Sequence, residues 1–314
     1  MNKLFSGKTS SRNQSITHPL LQAKGIHLVI KREDELHPIV SGNKFRKLKY
    51  NVLEALKQQK KVLLTFGGAY SNHIAAAATA GKYYGIPSVG VIRGEELAAK
   101  MPELLQQNPT LAHAVSEGMH LKFVSREAYR SKTTPEFLAA LEEEFGSYYL
   151  VPEGGTNTLA VKGCEEILSE EDKKFHYICA AVGTGGTLSG IINAAETTQH
   201  ILGFPALKGD FLQAELKQFV TDNTKQYRLI SEYHFGGYAK WNDALISFIN
   251  AFKLATSIPL EPIYTGKMLF GLFDMIAKDQ FKPGTRILVV HTGGLQGIAG
   301  INQQLKKKNK NLIV

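Results

Sequence analysis

Residues 175–190 read FHYICAAVGTGGTLSG. The first half is almost continuously apolar, which is typical of a strand that is buried on both faces of a parallel sheet. The second half is a glycine-rich turn, and the residues beyond it indicate a helix. A buried strand that passes through glycines into a helix is the unit from which α/β folds are built.

The same unit occurs twice more in the chain. A strand at 62–66 runs into a glycine turn at 67–72 and an alanine-rich helix, and a strand at 286–290 runs into a turn at 292–297 and a final helix. Further strands and helices are expected between these units: strands at 25–31, 88–92 and 119–124, and helices at 96–107, 135–145, 159–168, 241–254 and 266–278. This alternation predicts a parallel sheet with crossover helices.

Three segments carry weaker signals. Residues 1–25 are expected to be irregular, because Pro19 interrupts any local structure. Residues 148–157 are expected to form a boundary loop between two parts of the fold. Residues 200–235 have no clear pattern, and no element is assigned there.

The composition indicates a soluble globular protein of two domains or one large α/β unit. The chain has 314 residues, of which 43% are hydrophobic and 21% charged. No apolar run approaches the ~20 residues of a membrane span, and the basic start at 1–7 lacks the apolar stretch of a secretory signal. The two cysteines, Cys164 and Cys179, form neither a disulfide framework nor a zinc site. They are expected to be reduced and packed in a cytoplasmic protein without a metal site.

The net charge of +9 is concentrated at the N-terminal end. Residues 1–61 contain 13 Lys and Arg against 4 Asp and Glu, whereas the rest of the chain contains 24 of each. A basic region of this kind is compatible with nucleic-acid binding. However, it lacks interleaved aromatic residues and any docking motif, and a cluster of cations around an anionic ligand explains the same charge. No nucleic-acid partner is therefore expected.

The glycine turns are suited to binding an anion. Ligands of open α/β sheets bind beyond the carboxyl ends of the strands, where glycines allow close approach and helix N-termini offer free N–H groups. The turn at 183–190 adds hydroxyl groups to these donors. It is neither a dinucleotide fingerprint, because Leu188 replaces the third glycine, nor a P-loop, because it lacks the lysine. The alternative interpretation is a set of tight turns without a ligand.

Lys44 is the candidate nucleophile. Turn residues precede it in Ser41-Gly42-Asn43, and a helical apolar spacing follows it at 45–56. The cations around it, Arg46, Lys47 and Lys49, disfavour its ammonium form, and a lysine with a lowered pKa forms Schiff bases with carbonyl groups. A lone lysine is more often a solvated surface cation. An amine combined with an anion site nevertheless points to a phosphorylated aldehyde, pyridoxal 5′-phosphate (PLP).

Six segments strengthen this interpretation, and they span most of the chain: Ser41-Gly42-Asn43-Lys44-x-Arg46-Lys47-Leu48, Gly67-Gly68-x-x-Ser71-Asn72-His73, Pro152-x-Gly154-Gly155, Gly183-Thr184-Gly185-Gly186-Thr187, Tyr264-x-Gly266-Lys267 and His291-Thr292-Gly293-Gly294. In these segments the sequence resembles the PLP-dependent enzymes of the tryptophan-synthase-β fold group. Within that group it looks like the branch of 1-aminocyclopropane-1-carboxylate deaminase and D-cysteine desulfhydrase.

The resemblance implies the architecture of fold type II PLP enzymes. This is an α/β fold with two open twisted sheets and flanking helices. Residues 1–49 and 154–314 would form the large PLP-binding domain, and 50–153 a small inserted α/β domain. The site would lie in the cleft between them.

The resemblance also implies which residues bind the cofactor. Lys44 would hold PLP as a Schiff base and then act as the base at Cα. Asn72 would hydrogen-bond the ring hydroxyl, and Thr292 would lie beside the pyridine nitrogen. The phosphate would be bound by Lys47 and by the turn residues Thr184, Gly185, Gly186 and Thr187.

Three further residues are implied to be catalytic. Ser71 would bind the substrate carboxylate or assist proton transfer, although it is equally suited to be a helix N-cap. Tyr264 would face the reacting centre, with a packed structural aromatic as the alternative. Tyr238, after Gly236-Gly237, would be a second tyrosine of the pocket, on a looser match.

Two positions bear on the reaction. Cyclopropane deaminases typically have glutamate and leucine where this chain has Thr265 and Thr292, whereas desulfhydrases have small hydroxyl residues. The resemblance therefore implies a PLP-dependent lyase that acts on a small amino acid, with D-cysteine giving pyruvate, ammonia and sulfide. Alternatives are cyclopropane-carboxylate deamination, another PLP-dependent lyase reaction on an amino acid, or racemisation. The hydrolase class is also considered. A non-catalytic PLP or nucleic-acid binder is the alternative outside enzymes. A homodimer is expected from the family.

Overall fold

The computed structural model describes residues 4–5, 9–209 and 211–314. Its strands are β1 (Asn13–Ile16), β2 (His27–Lys31), β3 (Val62–Gly67), β4 (Ser88–Arg93), β5 (His120–Val124), β6 (Tyr148–Val151), β7 (Tyr177–Val182), β8 (His200–Pro205), β9 (Gln226–Leu229) and β10 (Arg286–Val290). Its helices are α1 (Pro19–Lys24), α2 (Asn43–Lys57), α3 (Asn72–Tyr84), α4 (Met101–Gln107), α5 (Pro109–Ser116), α6 (Arg126–Arg130), α7 (Pro135–Phe145), α8 (Thr158–Glu165), α9 (Gly186–Ala194), α10 (Phe211–Phe219), α11 (Asp243–Thr256), α12 (Thr265–Ala277) and α13 (Gly297–Lys307).

The larger sheet has the strand order β1-β2-β10-β7-β8-β9. Its neighbouring strands are parallel, apart from the antiparallel pair β1 and β2. Alternate residues of β7 pack on opposite faces. Cys179 and Ala181 face the core formed with α11 and α12, whereas Ile178 and Ala180 face the core formed with α8 and α9. Coverage of both faces explains why this strand is apolar without alternation.

The smaller sheet has the order β5-β4-β3-β6, and its strands are all parallel. Leu63 and Ile92 pack on the face covered by α2, α3 and α5. Leu64 and Val91 pack on the opposite face, which α6 and α7 cover. Two open sheets with helices on both faces confirm the predicted α/β fold class.

The carboxyl ends of three strands converge on one cleft. β3, β7 and β10 each end in a glycine turn, and residues of all three turns line the same cavity. This is the arrangement expected when ligands bind beyond the carboxyl ends of parallel strands.

The expectation that residues 1–25 are irregular is wrong for part of the segment. Asn13–Ile16 pairs with β2 as an edge strand, a pairing that a short polar sequence does not reveal. Pro19 begins α1 instead of breaking it, because the first position of a helix needs no backbone N–H. Residues 1–3 and 6–8 of this prediction lie outside the described residues.

Two other expectations also need correction. The boundary loop expected at 148–157 begins with an edge strand, Tyr148–Val151, which exists because it pairs with β3. The helix expected at 96–107 is shorter, with Pro102 in the first turn of α4, and a second helix, α5, follows it. The unassigned region 200–235 contains β8, α10 and β9.

The division into domains at 50–153 stays a prediction. The smaller sheet falls within that range, but the proposed boundary at residue 50 lies inside α2. This helix packs against α8 as well as α3. Among the described residues, no helix combines the length and the apolar character needed to cross a bilayer.

Candidate active site

The cavity at the converging turns has a volume of about 530 Å³. It is lined by Asn43, Lys44, Lys47, Asn72, Gly154, Ala181, Val182, Gly183, Thr184, Gly185, Thr187, Leu188, Tyr264, Thr292, Gly293 and Gly294. Of the residues predicted from the sequence, Lys44, Lys47, Asn72, Thr184, Gly185, Thr187, Tyr264 and Thr292 are among these. Gly186 lies between two of them in the chain, whereas Ser71 and Tyr238 lie outside the lining.

Two tight turns place Lys44 at the wall of this cavity. Gly42 has φ +58°, and a Cβ atom there would lie 1.9 Å from the carbonyl oxygen of Thr292. Only glycine therefore lets the turn at 41–43 contact the turn at 292–294, where the Asn43 N–H donates to the Thr292 carbonyl over 3.3 Å. The first turn of α2 then directs Lys44 into the cavity.

Lys44 has the electrostatics of a nucleophilic amine, for a reason that differs in part from the sequence argument. Burial and, to a lesser extent, the Lys47 ammonium lower the pKa of Lys44 to about 7. The other two cations around it are neutralised, because Arg46 pairs with Glu33 and Lys49 with Glu166. Burial, which the sequence could not show, is therefore the main cause of the lowered pKa.

Lys47 is a buried cation among oxygen atoms. Its Nζ donates to the carbonyl of Gly154 (3.1 Å) and to the hydroxyls of Thr156 (2.9 Å) and Thr184 (3.3 Å). None of these three acceptors is a carboxylate, and burial lowers the pKa of Lys47 to about 8. An ammonium in this setting is stabilised by an anion that binds beside it.

The glycine turn after β7 provides backbone donors close to Lys47. Gly185 has φ +84° and is the N-cap residue of α9. The free N–H groups of the first turn of α9 therefore lie at the end of the helix that borders the cavity. At Gly186 a Cβ atom would lie 2.8 Å from the Thr156 side chain, so the glycine leaves room for this contact. The Thr187 hydroxyl accepts from Asn43 Nδ2 over 2.9 Å and thereby links α9 to the Lys44 turn.

The turn after β3 contributes an amide and a hydroxyl. Among the residues that the structure describes, no donor reaches the buried Oδ1 atom of Asn72. Ser71 occupies the N-cap position of α3, but its side chain makes no capping hydrogen bond. Capping by its hydroxyl, one of the two interpretations of Ser71, is thus not what the geometry favours.

Tyr264 is positioned by a buried carboxylate. Glu261 accepts from the backbone N–H groups of Ile263 (2.6 Å), Tyr264 (2.8 Å) and Thr265 (2.6 Å) at the start of α12. The Tyr264 ring borders the turn after β7, since a Cβ atom on Gly183 would lie 3.1 Å from it. Burial raises the pKa of Tyr264 well above 10, so its hydroxyl stays protonated.

Tyr238 lies at the mouth of the cavity. Its ring packs edge-on against Tyr264 with the ring centroids 6.2 Å apart, and 48% of the residue is exposed. The buried Lys267 ammonium holds its loop by donating to the carbonyls of His234 (2.9 Å) and Gly237 (2.7 Å).

Glu261 provides a test of how Tyr264 is positioned. In Glu261→Ala, three buried N–H groups lose their acceptor, so we expect a loss of about 2 kcal/mol or more in the free energy of unfolding. Glu261→Gln retains an acceptor oxygen and is expected to lose less than half as much. Urea denaturation of the two variants measures both values, and equal losses would contradict this account.

Sequence reasoning missed several residues around the site. Thr156 directly follows the Pro-x-Gly-Gly motif and could have been found from that position. Glu261 binds backbone N–H groups only two to four residues after it in the chain. Lys267, in contrast, binds carbonyls of a turn about 30 residues earlier, and no local pattern indicates this. His73 and His291, which belong to two of the six segments, are both buried, and their Nε2 atoms contact Thr65 Oγ1 (2.8 Å) and the Pro259 carbonyl (2.7 Å). The cysteines are buried and free.

These residues fit PLP. The amine of Lys44 suits the aldehyde, the unpartnered Oδ1 of Asn72 is free to accept from a ring hydroxyl, and Lys47 with the N-terminus of α9 suits a phosphate. The Thr292 hydroxyl, in place of a carboxylate, matches a pyridine nitrogen that is not firmly protonated.

Comparisons with known proteins agree with this fit. The family described as pyridoxal-phosphate dependent enzymes matches residues 14–293. A bifunctional D-cysteine desulfhydrase/1-aminocyclopropane-1-carboxylate deaminase of Arabidopsis thaliana is 33% identical over 297 residues, with 87% of this chain and 74% of that protein covered. A putative 1-aminocyclopropane-1-carboxylate deaminase of Pyrococcus horikoshii is 28% identical over 290 residues, with 87% and 86% covered. The crystal structure of an ACC deaminase homologue superposes with a TM-score of 0.80 at 24% identity, over 98% of this chain and 99% of that one.

Proposed function

Because the chain belongs to the family of pyridoxal-phosphate dependent enzymes, we propose that it catalyses β-elimination from D-cysteine. One water molecule is consumed, and pyruvate, ammonia and hydrogen sulfide are released. The chain is a PLP-dependent lyase by its relatives, and the hydrolase class considered above finds no support in them.

The chain's own residues divide into those that hold the cofactor and those that act on the substrate. Lys44 would hold PLP covalently, Asn72 would bind the ring hydroxyl, and Lys47 with the turn at 184–187 would bind the phosphate. When bound, PLP stabilises the negative charge that remains after a proton leaves Cα.

The substrate would be oriented by the turn after β3. The uncommitted hydroxyl of Ser71 and the N-terminus of the 13-residue helix α3 suit the substrate α-carboxylate. The Lys44 amine, whose pKa of about 7 leaves a large neutral fraction at neutral pH, would remove the Cα proton. The protonated Tyr264 hydroxyl would donate a hydrogen bond to the sulfur atom as the Cβ–S bond breaks.

The pairing of a neutral amine with a protonated phenol carries the proposal. β-Elimination needs a base at Cα and a donor at the leaving group, and here burial lowers the pKa of Lys44 and raises that of Tyr264. None of the described lining side chains carries a carboxylate. Thr265, where cyclopropane deaminases have glutamate, is buried and donates its hydroxyl to Glu261 over 3.1 Å.

Product assays test the proposal. D-cysteine, L-cysteine and 1-aminocyclopropane-1-carboxylate are incubated with the PLP-loaded enzyme and assayed for pyruvate, sulfide and 2-oxobutyrate. We expect pyruvate and sulfide in equal amounts from D-cysteine, and a kcat about 10- to 100-fold lower in Tyr264→Phe, from the loss of one hydrogen bond to a charged group. Formation of 2-oxobutyrate as the main product would replace this function by cyclopropane-carboxylate deamination, and interconversion of cysteine enantiomers by racemisation.

The lowered pKa of Lys44 predicts how the cofactor attaches at different pH values. Only the neutral amine reacts with an aldehyde, so the attachment rate of PLP to the apoenzyme should rise with pH and level off above about 7. With an ordinary lysine, the attachment rate would keep rising up to about pH 10.4.

Lys47 supplies the control for this pH dependence. Lys47→Met removes a nearby cation that lowers the pKa of Lys44, so the midpoint should move to higher pH. Stopped-flow absorbance of the cofactor band measures both midpoints. A wild-type rate that still rises steeply above pH 9 is the result that would exclude a lowered pKa.

A homodimer and a cytoplasmic location are part of the same proposal. The homodimer is supported by the family resemblance, and the cytoplasmic location by the two free, buried cysteines. Light scattering after size-exclusion chromatography tests the dimer, with a single species of twice 34.6 kDa expected.

A further inference from the structure

Arg93 lies beside the turn that would bind the substrate α-carboxylate. It is the last residue of β4, and β4 runs parallel to β3 with Ile92 paired to Gly67. Its Nη2 atom lies 3.9 Å from the position of a Cβ atom on Gly68. The guanidinium therefore lies beside the turn that ends at Ser71 and Asn72.

Among the described residues, the Arg93 guanidinium differs from two nearby cations in having no ion-pair partner. Lys132 pairs with Glu153 over 3.2 Å, and Arg126 pairs with Glu96 over 3.1 Å. Arg93 makes no ion pair within 4.0 Å in the part of the chain that the structure describes. The Arg93 charge is therefore available to an anion that binds beside it.

Aromatic residues fix where this charge lies. The Arg93 guanidinium carbon is 5.8 Å from the centre of the Tyr129 ring, a cation–π distance. Tyr129 is buried and packs edge-on against Phe66, with the ring centroids 6.1 Å apart. Burial and the Glu261 charge raise the pKa of Tyr238, whereas the Arg93 charge lowers it, so the Arg93 guanidinium also lies near Tyr238.

The α-carboxylate already has donors in Ser71 and the N-terminus of α3, so Arg93 is available for a second anion. We propose that Arg93 forms a subsite for a negatively charged group on the β-substituent of the substrate. The substrate class would be amino acids with a β-thioether that ends in a carboxylate. This inference rests on the proposed β-elimination, and it names the substrates that the same site would prefer.

The reaction balances with the groups already assigned. In S-carboxymethyl-D-cysteine, Lys44 takes the Cα proton, the Cβ–S bond breaks, and its electron pair leaves with the sulfur. The sulfur takes up a proton as mercaptoacetate, and one water molecule converts the three-carbon remainder to pyruvate and ammonia. The carboxylate of the leaving group would pair with Arg93 throughout.

The test compares two substrates that differ only in charge. S-Carboxymethyl-D-cysteine is compared with S-carbamoylmethyl-D-cysteine in the PLP-loaded wild type, in Arg93→Gln, and in the control Arg126→Gln. We expect the wild type and the control to prefer the anionic substrate about tenfold or more in kcat/KM. Arg93→Gln should lose this preference and keep kcat/KM for D-cysteine within about twofold, since D-cysteine does not reach the subsite.

Binding separates this inference from the proposed function. An absorbance titration of the cofactor measures the affinity of both thioethers without requiring turnover. If no substrate is turned over but binding keeps the Arg93-dependent preference, β-elimination fails and the subsite stands. The subsite is overturned if D-cysteine is turned over but the wild type does not prefer the anionic thioether. It is also overturned if Arg93→Gln keeps the preference for the anionic thioether. If Arg93→Gln raises KM for D-cysteine as much as for the anionic thioether, Arg93 binds the α-carboxylate instead, and the proposed subsite is overturned as well.

Discussion

Lys44→Ala is expected to lower kcat for every amino-acid substrate by about 10³-fold or more. The substitution removes both the amine that holds the cofactor and the base that takes the Cα proton. Lys47, the turn at 184–187 and Asn72 remain, so PLP should still bind, but without a covalent bond. The visible band of the wild type, which borohydride locks onto Lys44, should therefore be absent, and dialysis should remove the cofactor.

Lys57 provides the matched control for this prediction. It lies on the same helix, α2, but its side chain is 80% exposed, far from the cavity. Lys57→Ala should keep the band and the rate of the wild type. Retention of more than about a tenth of the wild-type kcat in Lys44→Ala would be incompatible with a Lys44 that acts both covalently and as the base.

Glu33→Ala is expected to lower the free energy of unfolding by about 3–5 kcal/mol. Glu33 and Arg46 are both fully buried and form two hydrogen bonds, of 2.8 Å from Nε and 2.7 Å from Nη2. Removing the carboxylate leaves the Arg46 charge buried without its closest counter-ion. Arg46 lies on α2, two residues from Lys44, so the loss of stability should be accompanied by weaker PLP binding.

A neighbouring pair shows whether burial is the cause. Glu35 binds Arg12 at the surface, where the two side chains are 40% and 57% exposed. Its carboxylate also lies 3.0 Å from the buried Arg32, which keeps Asp34 as a partner when Glu35 is removed. Glu35→Ala should therefore lower the free energy of unfolding far less than Glu33→Ala does, because exposed ion pairs contribute little to stability. Urea denaturation of the apoenzymes compares the two variants. Similar losses would mean that the buried pair has no special role.

The sequence by itself determined the α/β fold class, and it indicated Lys44 as the candidate cofactor lysine. Both rest on local information. The runs at 177–182 and 286–290 are apolar because helices cover both faces of their sheet, and this constraint is visible in each strand alone. The Lys44 turn is recognisable because glycine at residue 42 and a helix start leave a signature within a few residues.

The edge strands and the electrostatics of the site were decided by tertiary structure. Two segments are strands because they pair with the edge of an existing sheet: Asn13–Ile16 with β2 and Tyr148–Val151 with β3. The sequence of neither segment shows that a partner strand is available. The sequence suggested that Arg46 and Lys49 lower the pKa of Lys44, yet both are paired with carboxylates. Burial dominates instead, and burial is a property of the assembled fold.

The same holds for the residues that act at a distance. Lys267 holds the Tyr238 loop, which lies about 30 residues earlier in the chain, and Arg93 reaches the Gly67–Asn72 turn only because β4 lies beside β3. A one-dimensional pattern reports which residues carry charge or turn the chain. Contacts between segments that are far apart in the sequence decide which charged side chains form ion pairs and which have no ion-pair partner.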